Sequence, residues 1–174
     1  MAHGLAAMNM GAVAARAGVS KATIYRRWRT KELLALDALF HAWSEGIPPA
    51  HATGQLRADL FSVLRPWAKL LRTRPYAHVI AALIAEAHTN AAFAEAYRTR
   101  FVGPRRDQAR AIFRRALERT DMNAAETDID LALDLLYGPI YHRLFHGHAP
   151  LDEPFLHAVI EAAVAVFERV PADA

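Results

Sequence analysis

Residues 13–31 read Val-Ala-Ala-Arg-Ala-Gly-Val-Ser-Lys-Ala-Thr-Ile-Tyr-Arg-Arg-Trp-Arg-Thr-Lys, which predicts two short helices joined by a tight turn. Gly18 can adopt the left-handed backbone conformation that such a turn requires. Ser20 is a preferred N-cap residue for the second helix. Ala14 and Ala17 have small side chains, so the two helices can cross closely. The stretch therefore predicts a helix-turn-helix.

The second of these helices has an inward and an outward face. Ile24 and Trp28 lie four residues apart and share the face that we expect to meet the core, with Val19 packed beneath the turn. The outward positions are Lys21, Ala22, Thr23, Tyr25, Arg26 and Arg27. In a helix-turn-helix, the early residues of the second helix contact base edges in the major groove. The outward face therefore predicts a DNA-binding surface.

The outward side chains suit two kinds of DNA contact. The lysine, alanine and threonine at positions 21 to 23 suit base edges, because they offer a donor to guanine, a contact to the thymine methyl group and a hydroxyl. Tyr25, Arg27 and Lys31 suit phosphates, which position a protein without reading the sequence. Lys31 also begins the next predicted helix, whose first amide groups favour an anion.

The charge distribution agrees with a DNA partner. Residues 1–31 carry six basic and no acidic side chains, whereas the whole chain has a net charge of only +3. A basic segment on a mildly acidic body indicates a polyanionic partner for that segment. A solvated basic face would also give this asymmetry, but it would not give the turn pattern. Charge and motif together favour DNA binding.

This segment closely resembles the DNA-binding region of the TetR family of bacterial transcriptional regulators, over about residues 8–40. The family's pattern around the turn is matched by Val13, Ala14, Ala17, Gly18, Val19 and Ser20. Its Thr-x-Tyr and following aromatic residue are matched by Thr23, Tyr25 and Trp28. Its phosphate-binding lysine is matched by Lys31. The resemblance implies a ligand-responsive repressor. Such a repressor binds a palindromic double-stranded DNA operator as a homodimer and leaves it when an effector binds.

The sequence departs from that family at its N-terminus. Family members carry a complete helix before the glycine that precedes the motif, which is Gly4 here, and this sequence has almost no residues there. Either this sequence begins after that helix or the helix is absent, and in the second case the DNA-binding module would lack a wall. We therefore expect apolar surface on Val13, Ile24 and Trp28 to be partly open.

Nearly the whole chain shows helical patterns and no convincing strand, which predicts an all-α fold. Gly46-Ile47-Pro48-Pro49 is typical of a linker. We place the domain boundary there, with a helix-turn-helix DNA-binding domain at residues 1–46 and a larger helical ligand-binding and dimerisation bundle at residues 47–174. We expect a helix break or kink at Gly103-Pro104 and a distortion at Gly138-Pro139.

Two apolar helical stripes near the C-terminus are wide enough to serve both a monomer core and a partner. We expect these helices at about residues 127–146 and 153–169. The resemblance implies that they pair with their copies in a four-helix interface. Val159 and Val166 are predicted to be outward apolar positions, where a charge would disrupt the dimer.

The resemblance also places an effector pocket among the middle helices of the larger domain. The candidate lining residues are Trp67, His88, Tyr97, Phe101, Tyr137 and Tyr141. Apolar walls with a few polar groups suit a small molecule that is mostly apolar. No pattern in the sequence calls for a cofactor.

A histidine cluster leaves another class of function open. His142 and His146 share a helix face at i, i+4, as metal ligands can, and His148 follows closely. The alternative is therefore a small helical enzyme or a metal-binding protein. No carboxylate lies near the cluster in sequence, so we predict neither a metal site nor an enzyme. A non-inducible architectural protein, which binds DNA without sequence preference, is a further alternative.

Two charged sets have structural explanations. Asp128, Asp130 and Asp134 lie at the start of a predicted helix, where acids favour the positive end of the helix dipole. A row of arginines predicts a solvated helix face, and its members are Arg105, Arg106, Arg110, Arg114 and Arg115.

The absence of cysteine excludes disulfides, thiolate metal ligands and cysteine nucleophiles, and it fits a reducing cytoplasm. The apolar run Val79–Ala85 is far too short to span a bilayer. The N-terminus shows no signal-peptide pattern. We therefore expect a cytoplasmic protein with no membrane partner.

Overall fold

The computed structural model describes residues 5–46, 53–119 and 126–167, and within these ranges it contains helices and no strands. The α-helices are α1 (Met10–Arg16), α2 (Lys21–Arg27), α3 (Lys31–Gly46), α4 (Leu56–Leu71), α5 (Arg74–Thr89), α6 (Ala91–Tyr97), α7 (Gly103–Leu117), α8 (Glu126–His146) and α9 (Glu153–Phe167). A short 3₁₀ turn at Leu5–Ala7 precedes α1, and a π-helical turn at Arg98–Val102 joins α6 to α7. The predicted all-α fold is confirmed.

Side-chain caps begin three of the short helices. The Asn9 carboxamide oxygen accepts from the backbone amide of Gly11 at 2.8 Å, and the Ser20 hydroxyl accepts from that of Thr23 at 3.1 Å. The Asn90 carboxamide oxygen accepts in the same way at the start of α6. These bonds satisfy amides that have no partner inside the helix, so helices of seven residues have well-defined starts.

A break or kink was predicted at Gly103-Pro104, and the α-helix is interrupted directly before it by the π-helical turn, without a break in the helical chain. Proline lacks the amide that an α-helix would bond to the carbonyl four residues earlier, and the preceding residues form the π-helical turn. The backbone is also crowded there, because a Cβ on Gly103 would lie 3.2 Å from the carbonyl oxygen of Arg98. By contrast, α8 continues through Pro139 without a change of helix type.

The chain forms two compact units. One comprises residues 1–44 and 73–103, and the other comprises residues 45–72 and 104–174. Within the first unit, α1 packs against α2 and α5 packs against α6, while α9 packs against α4 and α8 in the second. Most of the predicted Gly46–Pro49 linker lies outside the described residues, so the domain boundary stays a prediction.

The helices predicted at 127–146 and 153–169 correspond to α8 and α9. The prediction that Val159 faces outward is wrong: the residue is 5% exposed, because α9 packs between α4 and α8 and turns this position into the core. Val166 is half-buried. The large apolar side chains that α8 exposes are Leu131 and Phe145, which are 50% and 46% exposed.

Candidate nucleic-acid interface

The turn between α1 and α2 has the geometry that its sequence predicts. Gly18 has a φ of +67°, in the left-handed region. The Gly18 amide donates to the Ala15 carbonyl at 3.2 Å, and the Val19 amide donates to the Ala14 carbonyl at 3.0 Å. This pair of bonds is a Schellman motif, which ends α1 and reverses the chain.

The core beneath the turn differs from the prediction in one residue. Met10, Ala14 and Ile24 form a buried cluster, with Trp28 and Leu34 packed against it. This cluster fills the space under the turn, so Val19 stays outside it at 40% exposure and the expectation that it packs there is wrong.

The three apolar side chains expected to be partly open differ in their burial. Val13 and Trp28 are half-buried, as expected. Ile24 is 6% exposed, so the expectation that its surface is open is wrong. The reason is the cluster to which Ile24 belongs, because Met10 and Ala14 are buried with it and Trp28 and Leu34 pack against it.

The structure places the predicted outward residues of α2 in solvent. Exposed side chains on this helix are Lys21, Ala22, Thr23, Tyr25, Arg26 and Arg27, and Lys31 at the start of α3 is half-buried. Half of the Tyr25 side chain is exposed. The second helix of the helix-turn-helix, α2, is its recognition helix. This basic, exposed helix lies beside the N-terminus of α3 and can bind the anionic DNA backbone.

Two of these side chains are held by local contacts at the N-terminal end of α2. The Thr23 hydroxyl lies 3.0 Å from that of Ser20, within hydrogen-bonding distance. Lys21 lies along α1, since a Cβ on Gly11 would come within 2.6 Å of its Cε atom. This is the end of the helix that the motif assigns to base contacts.

A shallow cleft lies beside α2, at the N-terminus of α3. Its volume is about 410 Å³, and its lining residues are Met8, Asn9, Met10, Tyr25, Arg29, Thr30, Lys31 and Glu32. The Thr30 hydroxyl accepts from the Leu33 amide at 3.3 Å and so begins α3. The cleft holds one acidic side chain, that of Glu32, against two basic side chains, a phenol and a helix N-terminus. The last three favour an anion such as phosphate.

Sequence reasoning identified Tyr25 and Lys31 in this cleft and missed Arg29 and Thr30. The missed signal was local, because a threonine directly before a predicted helix is a preferred N-cap. Such a cap marks the helix end that attracts an anion.

Trp28 connects the recognition helix to the rest of its unit. Its indole Nε1 donates to the Asp37 Oδ2 atom of α3 at 2.8 Å. The Arg27 guanidinium lies over the indole, 4.9 Å from its centroid. Arg100 Nη1 lies 3.4 Å from the other carboxylate oxygen of Asp37. No sequence pattern joins positions 28, 37 and 100, so Asp37 and Arg100 were missed.

The residues predicted to bind an effector fall into groups, and the first surrounds Arg105. The Arg105 guanidinium lies 4.2 Å from the ring centroid of Trp67 and within 6 Å of those of Tyr137 and Tyr141. Arg105 Nη2 donates to the Tyr141 hydroxyl at 2.7 Å, and the Tyr137 hydroxyl donates to the Arg105 carbonyl at 3.0 Å. Burial of that hydroxyl raises the pKa of Tyr137 to about 12.

The second group lies in the other unit. The Tyr97 and Phe101 rings are 5.5 Å apart, and both are buried. His88 belongs to neither group: it is exposed, and its Nδ1 lies 2.8 Å from the carbonyl oxygen of Ile84 on its own helix.

The prediction of a solvated arginine face is wrong for Arg105, which is 4% exposed because the aromatic rings cover it. Arg106 contacts Asp130 and Asp134, and Arg110 also contacts Asp130. Hydrogen bonds from Arg106 and Arg110 hold the pKa of Asp130 below its usual value. These acids therefore join α7 to α8, a role that the helix-dipole explanation did not include.

The three predicted histidines do come together at the end of α8. The ring centroid of His142 lies 4.6 Å from that of His146 and 5.1 Å from that of His148. All three side chains are exposed. Within the described ranges, no three His, Asp or Glu side chains are arranged to hold a metal ion. The described helices also include none that is long and apolar enough to cross a membrane.

Comparisons with known proteins agree with the helix-turn-helix. The family described as "Bacterial regulatory proteins, tetR family" matches residues 1–38, and "Tetracyclin repressor-like, C-terminal domain" matches residues 50–163. The HTH-type transcriptional regulator YdeS of Bacillus subtilis is 34% identical over 90% of this chain and 78% of its own length. The DNA-binding transcriptional repressor TetR of Mycobacteroides abscessus is 32% identical, over 92% of this chain and 83% of its own length.

Solved structures are similar along the whole chain. The TetR family transcription regulator SCO0332 has a TM-score of 0.77 and 34% identity, covering 97% of this chain and 90% of its own. The flavonoid-responsive regulator FrrA shares the fold, with a TM-score of 0.61 and 22% identity over 99% of this chain and 91% of its own. From the family matches and these relatives, this chain belongs to the TetR family of DNA-binding transcriptional regulators.

Proposed function

We propose that this regulator is a ligand-responsive repressor that binds a near-palindromic operator as a homodimer in the cytoplasm. The observation that carries the proposal is the exposed basic face of α2 beside the cleft at the N-terminus of α3. Repression is supported by the repressor of Mycobacteroides abscessus, which is similar over 92% of this chain. The relatives are named as regulators, so the enzyme alternative has no support from them.

In the DNA complex, the N-terminal end of α2 enters the major groove. Lys21, Ala22 and Thr23 contact base edges, and their exposure and position support this role. The remaining residues contact the backbone: Tyr25, Arg26, Arg27 and Lys31. The cleft that contains Tyr25 and Lys31 supports a phosphate contact, because the N-terminus of α3 adds its dipole to the lysine charge.

DNA binding is separated from effector binding and dimerisation at the predicted domain boundary. Residues 1–46 bind DNA, and residues 47–174 bind the effector and form the dimer. The dimer uses α8 and α9, and the exposed side chains of Leu131 and Phe145 support a second copy as the partner of α8. A two-fold interface presents the same patch from both subunits, so each exposed apolar residue contributes twice.

The effector is a mostly apolar small molecule with one or two polar groups. Trp67, Tyr137 and Tyr141 support this chemistry in one unit, since they combine large rings with hydroxyl and indole groups. Tyr97 and Phe101 offer similar walls in the other unit, and exposed His88 stays a candidate on sequence grounds.

Selection from random duplexes, followed by anisotropy titration of the full chain, tests the proposal. We expect a near-palindromic site. The logarithm of the binding constant should fall linearly with the logarithm of salt concentration, because several phosphates are neutralised. Binding without any sequence preference would instead support the architectural alternative. Absence of salt-dependent binding would refute the proposal.

A further inference from the structure

Each carboxylate oxygen of Asp37 has a partner on a different element of its unit. Oδ2 accepts from the Trp28 indole at 2.8 Å, at the end of α2. Oδ1 lies 3.4 Å from Nη1 of Arg100, on the π-helical turn. The carboxylate thus joins three elements: the recognition helix, α3 and the turn before α7.

The Trp28 end of this connection lies where the recognition helix ends. The Trp28 amide donates to the Ile24 carbonyl at 2.9 Å, and the Trp28 backbone is extended, so α2 stops there. Its ring packs against the cluster that contains Ile24. The Arg27 guanidinium in turn rests 4.9 Å from the ring centroid. The orientation of the indole therefore affects both the helix axis and a proposed phosphate contact.

The Arg100 end lies on the π-helical turn between α6 and α7. π-Helical turns are rare and often mark functional positions. A one-residue change of register in such a turn rotates a side chain by roughly 100° about the helix axis, which would move Arg100 away from Asp37. This turn ends at Val102, and the chain passes from one compact unit to the other directly after Gly103.

We propose that Asp37 is a positioning residue for the recognition helix. In this proposal the π-helical turn adjusts operator affinity by forming or breaking the contact between Arg100 and Asp37. The inference rests on the proposed function, because it assumes that α2 binds the operator. When Arg100 contacts Asp37, the carboxylate is oriented toward the indole and α2 ends as observed. When the turn changes register, the indole loses its fixed acceptor and the DNA-binding geometry loosens. The ion pair is partly exposed, so it contributes little to stability.

The test uses the operator duplex selected as described above and compares two arginines of the same turn. Arg100→Gln removes the contact with Asp37. Arg98→Gln is the matched control, because Arg98 pairs with Glu95 on its own helix. We expect Arg100→Gln to weaken operator binding by roughly fivefold or more, the scale of typical coupling between sites. The control should change it by less than about twofold. Both sites are exposed, so thermal unfolding should match the unaltered protein.

A double-mutant cycle distinguishes this positioning role from a purely structural one. Trp28→Phe keeps the packed ring and removes the indole donor. Combined with Arg100→Gln, it should weaken operator binding no more than Trp28→Phe does alone, because both changes interrupt the same connection through Asp37. Additive losses, or an Arg100→Gln affinity equal to that of the control, would overturn this role while the unaltered protein still binds. Failure of the unaltered protein to bind any operator would overturn the proposed function itself.

Discussion

At the scale of single residues, the two proposed kinds of DNA contact should separate experimentally. Lys31→Ala removes one charge beside the cleft from each subunit, so it should weaken binding to all sequences and reduce the salt slope of the dimer by about 2, which is about 1 for each lost phosphate contact. Thr23→Ala should change the preferred base at one position, at about 1–3 kcal/mol for a good contact. Anisotropy titrations on matched and mismatched duplexes measure both. A Lys31→Ala variant that altered base preference would contradict the assignment.

Asp59 offers a prediction about stability and pH. It is 4% exposed, and its carboxylate accepts from the amides of Thr53 and Gly54 at 2.9 Å and 3.2 Å. Burial alone would raise the pKa of Asp59, but these bonds and that of the Thr53 hydroxyl outweigh burial and hold it below the ordinary value of 3.8. The carboxylate therefore stabilises the fold above that value, and the stability is lost as the pH falls through the folded pKa.

Asp59→Asn should consequently lower the free energy of unfolding at pH 7 by about 1–3 kcal/mol, the cost of buried donors that lose their partners. The difference from the unaltered protein should shrink as the pH falls below 3.8. Asp107→Asn is the control, since that exposed acid pairs with Arg110 on its own helix and should cost less than about 1 kcal/mol. Urea titrations across the acidic range measure both, and a pH-independent difference would exclude the carboxylate as the cause.

Local sequence patterns predicted the exposed residues of α2 because helical spacing alone assigns a face. They failed for Arg105, which belongs to the arginine row predicted to be solvated but is covered by Trp67 and Tyr141. These partners lie 38 and 36 positions away, so no window along the helix could reveal them. The contact of Asp37 with Arg100, 63 residues apart, was missed for the same reason.

At the scale of elements, the turn depends on the backbone of one residue. Gly18 has a φ of +67°, and nothing lies within 4 Å of a Cβ built on it, so a substitution there tests conformation rather than packing. Gly18→Ala should cost about 1–2 kcal/mol, because the left-handed region crowds a Cβ. Gly18→Asn should cost less, since asparagine tolerates this region better. Denaturant unfolding measures both, and equal stability of all three proteins would contradict the conformational argument.

Helix boundaries were predictable where a cap or a proline marks them, as at Ser20 and Gly103-Pro104. The kind of interruption was not, because proline excludes one hydrogen bond without selecting the arrangement that replaces it. The surrounding packing selects the π-helical turn over a loop. Pro139, in turn, lies inside a helix whose neighbours Leu136 and Ile140 are fully buried, and tertiary packing maintains the helix through it.

At the scale of the whole molecule, the all-α class followed from composition and periodicity, but the orientation of α9 did not. Apolar residues at helical spacing show that a helix has a buried face. They do not show whether that face packs against its own chain or against a second one. Val159 illustrates the ambiguity, because it was expected at the dimer surface and is buried against its own chain. The exposed apolar residues of α8 are consequently better probes of association.

The dimer proposal therefore predicts that Leu131→Glu and Phe145→Glu convert the protein to monomers. Both side chains are about half exposed in one chain, so a glutamate costs the monomer little, whereas a two-fold interface would bury it twice and bring like charges near the axis. Ala81→Glu is the control, because it adds the same charge at an exposed position of α5. Light scattering should give a dimer for the control and monomers for the α8 variants. Operator affinity should fall when dimerisation is lost, because each subunit then binds its half-site on its own. If the α8 variants remain dimers with unaltered thermal stability, this face of α8 lies outside the interface.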